Sequence, residues 1–384
     1  MPRVGGARQT DRMPTGSSQL SRAVRLHSHG FRTPADDAVS VVERLGAIQA
    51  QDLGAAKWVI GSRMTRPTPD AVDAALAERR VVRSWPMRGT LHILPARMLR
   101  PTLRLTGPRV LANARLRHER LELGETEYRR ARDAVERELA GGGTATRDEL
   151  SGLWRAAGID ANGPRTYHLI WWLALDGVLC GGPVDGRLQH FALLDEWAPV
   201  GAGEPDSAEQ TLAELFTAYV RGHGPVTLAD FAWWSGLTMR DTRTALDGAG
   251  DRVERFVDRP ADDGPERYVA AGATDAAASR PSGALALAGF DEYYLGYADR
   301  SPVCDPAFGD LVIPGGNGVF QPTLVLDGRV VGTWKRSGTA AKPRIELRWF
   351  ESKHAAAASR FERPVRAWAG FQGIELQGID STAP

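Results

Sequence analysis

The stretch LGAIQAQDLG, residues 45–54, places two carboxamides one residue apart, Gln49 and Gln51, with the carboxylate of Asp52 directly after them. A carboxamide has no useful pKa and cannot act as a strong general base, but its carbonyl accepts and its NH₂ donates, so a pair can hold a water molecule. Whether these two can work together depends on the backbone. The residues before them follow a helical apolar pattern, and on a continuous helix positions i and i+2 point about 200° apart. Either the helix loosens before Gln49 and the amides meet, or Gln49 ends a helix, Gln51 lies on a solvated loop, and neither does chemistry. Asp52 also has two readings: a charge beside a developing cation, or the cap of the following helix LGAAKWVIGSRM.

Other reactive residue types offer less. His27 and His29 in RLHSHG lack the Cys/His companions of a metal site, so no metal is expected. Asp291 and Glu292 in FDEYYLG could be paired acids of the kind that cleave glycosidic bonds; a structural salt bridge to an arginine, from a strand, is the expected role. His92 in GTLHIL faces either the core or a ligand, and the alternation leaves this open. Cys180 and Cys304 are the two cysteines, far apart in sequence, and read as core thiols.

Charge is unevenly spread. The 384 residues carry a net charge of +1, yet residues 79–120 hold eleven arginines against one acid, Glu119. Guanidinium forks match phosphate oxygens, so Arg88, Arg100, Arg104 and Arg109 are candidates for gripping a nucleic-acid backbone; the competing reading is solvated helix faces in an arginine-rich chain. With 42% hydrophobic and 25% charged residues, the chain has material for two to four domains. It shows neither a long apolar run nor the apolar middle of a secretory signal, and a cytoplasmic protein is expected.

The elements that must position these residues recur. TATRDELSGLWRAAGIDANGPRTYHLIWWLALDGVLC predicts a helix capped by Thr146, a turn, and a helix from Pro164, followed by a strand pair turning at Asp185–Gly186. GPVTLADFAWWSGLTMRDTRTALDGAG repeats the opening, with Thr227 as cap, a turn at Gly236 and a second helix from Met239. The first hundred residues give three helices, a fourth capped by Thr68 with Pro69 in its first turn, and strand material in VVRSWPMRGTLHILP. Helix-turn-helix geometry with a strand wing accounts for all three. In the pairs Trp171–Trp172 and Trp233–Trp234, at least one ring of each is expected in the core, because adjacent helical positions diverge. After a Pro/Gly/Ala/Asp-rich connection, residues 320–350 alternate around a turn at Asp327–Gly328 and a longer second turn. Lys335, Arg336, Lys342 and Arg344 surround that hairpin, either to enter a DNA groove or to protect a sheet edge.

The expected fold is α+β: three tandem winged-helix units and a small antiparallel C-terminal β-domain. The boundaries are a disordered tail over 1–18, a first unit over 19–100, a helical segment and second unit over 101–200, a third unit over 201–258, and linker plus β-domain over 259–384.

Four stretches, IQAQD (48–52), RSWPMRGTLHIL (83–94), GFDEYYLGYADRS (289–301) and NGVFQPTLVLDGRVVGTWKR (317–336), occur in an order and spacing by which the chain resembles the AlkZ/YcaQ family of winged-helix DNA glycosylases. The resemblance runs from about residue 19 to 373. It departs at ALAGF, where relatives often carry a proline before the glycine, and no functional loss is expected from that. The resemblance implies a C-shaped clamp on duplex DNA and makes Gln49 and Gln51 a Gln-x-Gln catalytic pair, with Asp52 secondary.

The chemistry fits what amides can do. Alkylation at N7 of guanine or N3 of adenine puts a positive charge on the base, which then departs neutral without protonation. The enzyme need only position water at C1′ and stabilise the sugar's developing cation. The expectation is a monomeric, monofunctional DNA glycosylase acting on duplex DNA with cationic alkylpurines, extending to bulky natural-product adducts and interstrand crosslinks, and using neither metal nor other cofactor. The alternative is a winged-helix transcriptional regulator, which has no need of a paired amide outside its recognition helices; a protein-interaction scaffold would have no salt-dependent DNA affinity at all.

Overall fold

The computed structural model describes residues 17–186, 188–201, 203–258, 264–277 and 280–384. Of the tail expected over 1–18, residues 1–16 lie outside the described residues, and 17 and 18 begin helix α1 (Ser17–Ser28). The chain then follows one succession three times: helix, short strand, two helices, two strands. The first comprises α2 (Ala38–Leu45), β1 (Ile48–Gln49), α3 (Leu53–Gly61), α4 (Pro69–Ala77), β2 (Val81–Met87) and β3 (Thr90–Pro95). Helix α5 (Ala96–Arg120) leads to the second, built of α6 (Glu125–Leu139), β4 (Thr144–Thr146), α7 (Arg147–Ala156), α8 (Pro164–Leu175), β5 (Leu179–Asp185) and β6 (Leu188–Leu193). After the short α9 (Leu194–Trp197), the third comprises α10 (Ala208–His223), α11 (Leu228–Ser235), α12 (Met239–Ala249), β7 (Val253–Arg255) and β8 (Tyr268–Ala270). Here a single bridge from Val226 to Tyr268 stands where the others have a first strand. The two three-stranded sheets share one order, β1-β3-β2 and β4-β6-β5.

The capping residues explain why the helices start where they do. Thr68, Thr146 and Thr227 each accept from the backbone N–H of the third residue on, Ala71, Glu149 and Asp230 respectively. Glu149 and Asp230 return the bond to the cap's own N–H, which satisfies two donors that a helix end otherwise strands. Gly236 closes α11 in the left-handed conformation, φ 74°. In each tryptophan pair one ring is core: Trp171 and Trp234 are buried, and Trp172 and Trp233 are half-buried.

The C-terminal part begins with α13 (Ala273–Ala276), β9 (Ala284–Leu287), α14 (Glu292–Leu295) and α15 (Gly309–Val312). Strands β10 (Thr323–Leu326), β11 (Arg329–Gly338), β12 (Pro343–Trp349) and β13 (Gly378–Thr382) follow, with α16 (Glu362–Phe371) before the last. They form a five-stranded sheet in the order β13-β12-β11-β10-β9. Two details differ from expectation. The sheet is not purely antiparallel, because β13 joins β12 in parallel. The Arg344 side of the hairpin is therefore covered by β13, while Lys335 and Arg336 lie beyond the last residue of β11 that pairs with β10. Asp291 and Glu292 lie on the one-turn helix α14 and its cap, not on a strand, since Asp291 accepts from the Tyr293 N–H and turns the chain.

Packing ties distant segments together. The core under α3 contains Ala288 and Phe371 from the C-terminal part, and the Trp58 and Phe371 rings meet at 5.2 Å. Helix α1 packs against α10 and α13, and Val24 joins Phe256 and Val269 in a small core. β8 pairs with β7, so the pairing crosses the boundary expected at 258. Cys180 and Cys304 are free buried thiols, and burial pushes the first up to about 12 and the second to about 11. Among the described residues, no helix is long and apolar enough to cross a membrane.

Candidate active site

Helix α2 stops at Leu45, and Gly46, at φ 77°, turns the chain out of it. Gln49 then sits in the two-residue strand β1, paired with His92 of β3. Ala50 donates its N–H to Leu91 O at 2.7 Å. The helical objection to the pair is therefore removed: Gln49 is extended and Gln51 lies in the bend that follows, so neither is on a last helical turn.

Each amide is held from its carbonyl end. Gln49 Oε1 accepts from Arg88 Nη2 at 3.3 Å, and Gln51 Oε1 accepts from the Leu91 N–H at 2.8 Å. An amide oxygen has two lone pairs, so each keeps one free, and both NH₂ groups remain as donors. Arg83 clamps the segment between them, donating to Ala50 O through Nε (3.1 Å) and Nη2 (2.7 Å). Gln49 is 7% exposed, whereas Gln51 faces solvent. Asp52 is engaged as the cap of α3, accepting from the Ala55 N–H at 3.0 Å.

Arg88 stands at the tip of the β2–β3 hairpin in the left-handed conformation, φ 53°, which costs a non-glycine residue energy. Its companion Gly89, φ 70°, has room for no side chain, because a Cβ there would meet the Trp171 ring at 2.9 Å. The Arg88 guanidinium stacks over Trp233 at 4.6 Å, and Arg300 covers the same ring at 4.9 Å. Burial lowers the Arg88 pKa, while the charge of Glu292 pulls it back up. Beside Arg88 opens a cleft of about 420 Å³, whose lining includes Thr106, Arg109, Asn113, Trp171 and Ser235.

Beneath the glutamines, Glu292 is fully buried. Its Oε1 accepts from the Gln49 N–H at 2.9 Å; its Oε2 accepts from Trp234 Nε1 at 3.1 Å and lies 3.4 Å from His223 Nε2. Burial would raise its pKa, but His223, the Gln49 amide and His92 outweigh that and hold the carboxyl below its ordinary value. His92 is buried against the same place. Its Nδ1 faces Thr90 O at 2.9 Å and so carries the hydrogen, while Nε2 has no partner. Burial, reinforced by Arg88, lowers its pKa to about 4, so it is neutral at neutral pH. The neighbouring acid has the structural fate expected: Asp291 takes a two-point ion pair from Arg63 at 2.7 and 3.0 Å. His29 lies in the same buried cluster, hydrogen-bonded to Tyr297 Oη at 2.9 Å.

The basic candidates divide. Arg104 and Arg109 are exposed on α5. Arg100 is drawn inward, bonded to Asp195 (2.7 Å), Glu204 (3.2 Å) and Ala198 O (3.2 Å). It ties α5 to the segment after β6, and its side chain is 12% exposed. Arg88 is a partner of Gln49 more than an outward hook. Lys335 pairs with Glu346 at 3.3 Å, and Arg344 pairs with Asp380 of β13 through Nε at 2.7 Å. Arg336 and Lys342 are exposed on the hairpin. Trp233, Arg300, His223 and the buried contacts of Glu292 were not foreseen. Their one sequence signal was GFDEYYLGYADRS, which contains both Glu292 and Arg300.

Comparison with known proteins agrees on one lineage. Residues 42–371 match the family model described as DNA glycosylase AlkZ-like. A relative from Streptomyces sahachiroi, an interstrand DNA cross-link repair glycosylase, is 29% identical over 309 residues, spanning 78% of this chain and 82% of the relative. The fold resembles the solved structure of the Streptomyces sahachiroi DNA glycosylase AlkZ, with a TM-score of 0.77, 24% identity, and coverage of 96% of this chain and 100% of that one.

Proposed function

The chain belongs to the AlkZ-like DNA glycosylase family, and on that premise we propose that it hydrolyses the N-glycosidic bond of cationic alkylpurines in duplex DNA, with N7-alkylguanine and N3-alkyladenine as the small substrates. The observation that carries the proposal is that Gln49 and Gln51, within one short segment, each have the amide oxygen held by a fixed donor. Two such amides grip a water through their free lone pairs and NH₂ groups and aim it at C1′. Water aimed in this way meets a sugar whose leaving group is already charged, so no strong base is required. Asp52, committed to capping α3, contributes its charge from one residue away.

The repeated helix–strand–helix–helix–strand–strand successions are read as three winged-helix units, and with the five-stranded part they form a C-shaped clamp. Duplex DNA lies against Arg104, Arg109, Arg336 and Lys342. The cleft beside Arg88 gives room for a bulky adduct, and the relative named for interstrand cross-link repair extends the proposal to crosslinked guanines. A transcriptional regulator built on the same units would leave the Gln49–Arg88–Glu292 arrangement without a purpose.

The test is direct. Incubation with a duplex carrying N7-methylguanine should release the free base and leave an abasic site without strand cleavage. No release beyond the spontaneous rate, with duplex affinity intact, would favour the regulator.

A further inference from the structure

Glu292 is assigned no part in the water-holding step, yet its surroundings are those of a built device. Three groups converge on one buried carboxylate: the Gln49 N–H and Trp234 Nε1 donate to it, and His223 Nε2 lies 3.4 Å away. They come from β1, from α11 and from the end of α10, so the carboxylate joins the first and third successions. An ionised carboxylate is the one side chain of this size that accepts everywhere; a carboxamide in its place would set its own NH₂ against an N–H. Asp291, one residue earlier, is neutralised by Arg63, whereas among the described residues no arginine pairs with Glu292. Its charge acts on Arg88 from a distance, and Arg88 is the group that holds the Gln49 oxygen. Gln49 is thus gripped twice, at its backbone N–H by Glu292 and at its side chain by Arg88.

We infer that Glu292 is the positioning residue of Gln49: it fixes the strand at the Gln49 N–H and thereby sets where the Gln49 carboxamide meets Arg88. The inference rests on the glycosylase reading above. A purely structural carboxylate would slow the enzyme whatever occupies position 49, while a positioning residue matters only as long as there is a Gln49 amide to position. That difference is measurable as coupling between the two sites.

The experiment is a double-mutant cycle of Glu292→Gln and Gln49→Ala. It is read as the single-turnover rate of N7-methylguanine release, corrected for spontaneous loss, alongside affinity for a duplex with a tetrahydrofuran abasic analogue. Glu292→Gln should slow release on the order of thirtyfold in the wild-type background and less than about threefold in the Gln49→Ala background, with affinity for the analogue held. Equal losses in both backgrounds, or an unaltered rate in Glu292→Gln, would overturn the inference while leaving the glycosylase reading in place. If wild-type protein releases no base, both fall. Should Glu292→Gln not fold, Glu292→Asp, which keeps the charge but draws the carboxylate back from the Gln49 N–H, enters the same cycle with the same criteria.

Discussion

At the scale of single residues, the proposal makes the pair at 49 and 51 one unit, and its variants should show it. Gln49→Ala and Gln51→Ala should each slow single-turnover release of N7-alkylguanine by on the order of a hundredfold, about 3 kcal/mol of barrier, with DNA affinity close to wild type. The double variant should be little worse than the poorer single one. Gln51→Asp should retain part of the activity on small cationic lesions, since a carboxylate also orients water; wild-type rates in all of these would remove the pair from the reaction. His92 supplies a different readout. Its pKa is about 4 in the fold against about 6.5 in an unfolded chain. Above pH 6.5 it is neutral in both states and costs nothing. As pH falls from 6.5 to 4 the unfolded chain takes up a proton that the native state refuses, so stability is lost across that window by about 3 kcal/mol and then levels. Urea midpoints at pH 7.5 and 4.5 should therefore converge in His92→Gln relative to wild type. An identical acid loss in the two proteins would mean that His92 titrates normally.

Elements were legible where their signals are local. Thr68, Thr146 and Thr227 sit three residues from the amides they accept, and Gly236 needs only its own φ, so helix starts and stops follow from short stretches. The hairpin turn at Asp327–Gly328, with φ 47° and 78°, is equally local. What a segment read alone does not supply is its partner. Strand β13 finds β12 across 34 residues and runs parallel to it, and Arg344 meets Asp380 only because of that. The hairpin tip has no such brace. Gly338 pairs with Pro343 at the end of the ladder and Lys342 turns back on Thr339, so residues 339–342 form the projecting loop. Replacing 339–342 with Asn-Gly should lower excision of a bulky adduct severalfold while the melting temperature stays within about 2 °C, as expected for an exposed turn. Unaltered excision would show that the hairpin does not probe the duplex.

On the scale of the whole molecule, the arginine-rich stretch shows how composition misleads. Eleven arginines between 79 and 120 suggest one cationic surface, but Arg83, Arg88, Arg97 and Arg100 are engaged by carbonyls, amides and acids up to 117 residues away. Only the folded chain sorts grips from braces. Arg104→Ala and Arg109→Ala together should flatten the slope of log affinity against log salt by about 2, measured by titration of an undamaged duplex. Arg100→Ala should leave that slope alone and lower the urea midpoint, because it strands the carboxylate of Glu204, whose side chain is 8% exposed. A slope that responds to Arg100 and not to Arg104 and Arg109 would invert the assignment. The candidate site itself was half legible for the same reason. The two glutamines stand out by spacing, though only the family resemblance made them a catalytic pair, whereas Glu292 stands 243 residues beyond the amide it accepts from.

That separation also sets a timetable. On a ribosome the glutamine pair is made 243 residues before the carboxylate under Gln49, and the Phe371 ring that packs on Trp58 comes later still. A growing chain therefore carries both amides through that whole stretch of synthesis without the support that holds Gln49.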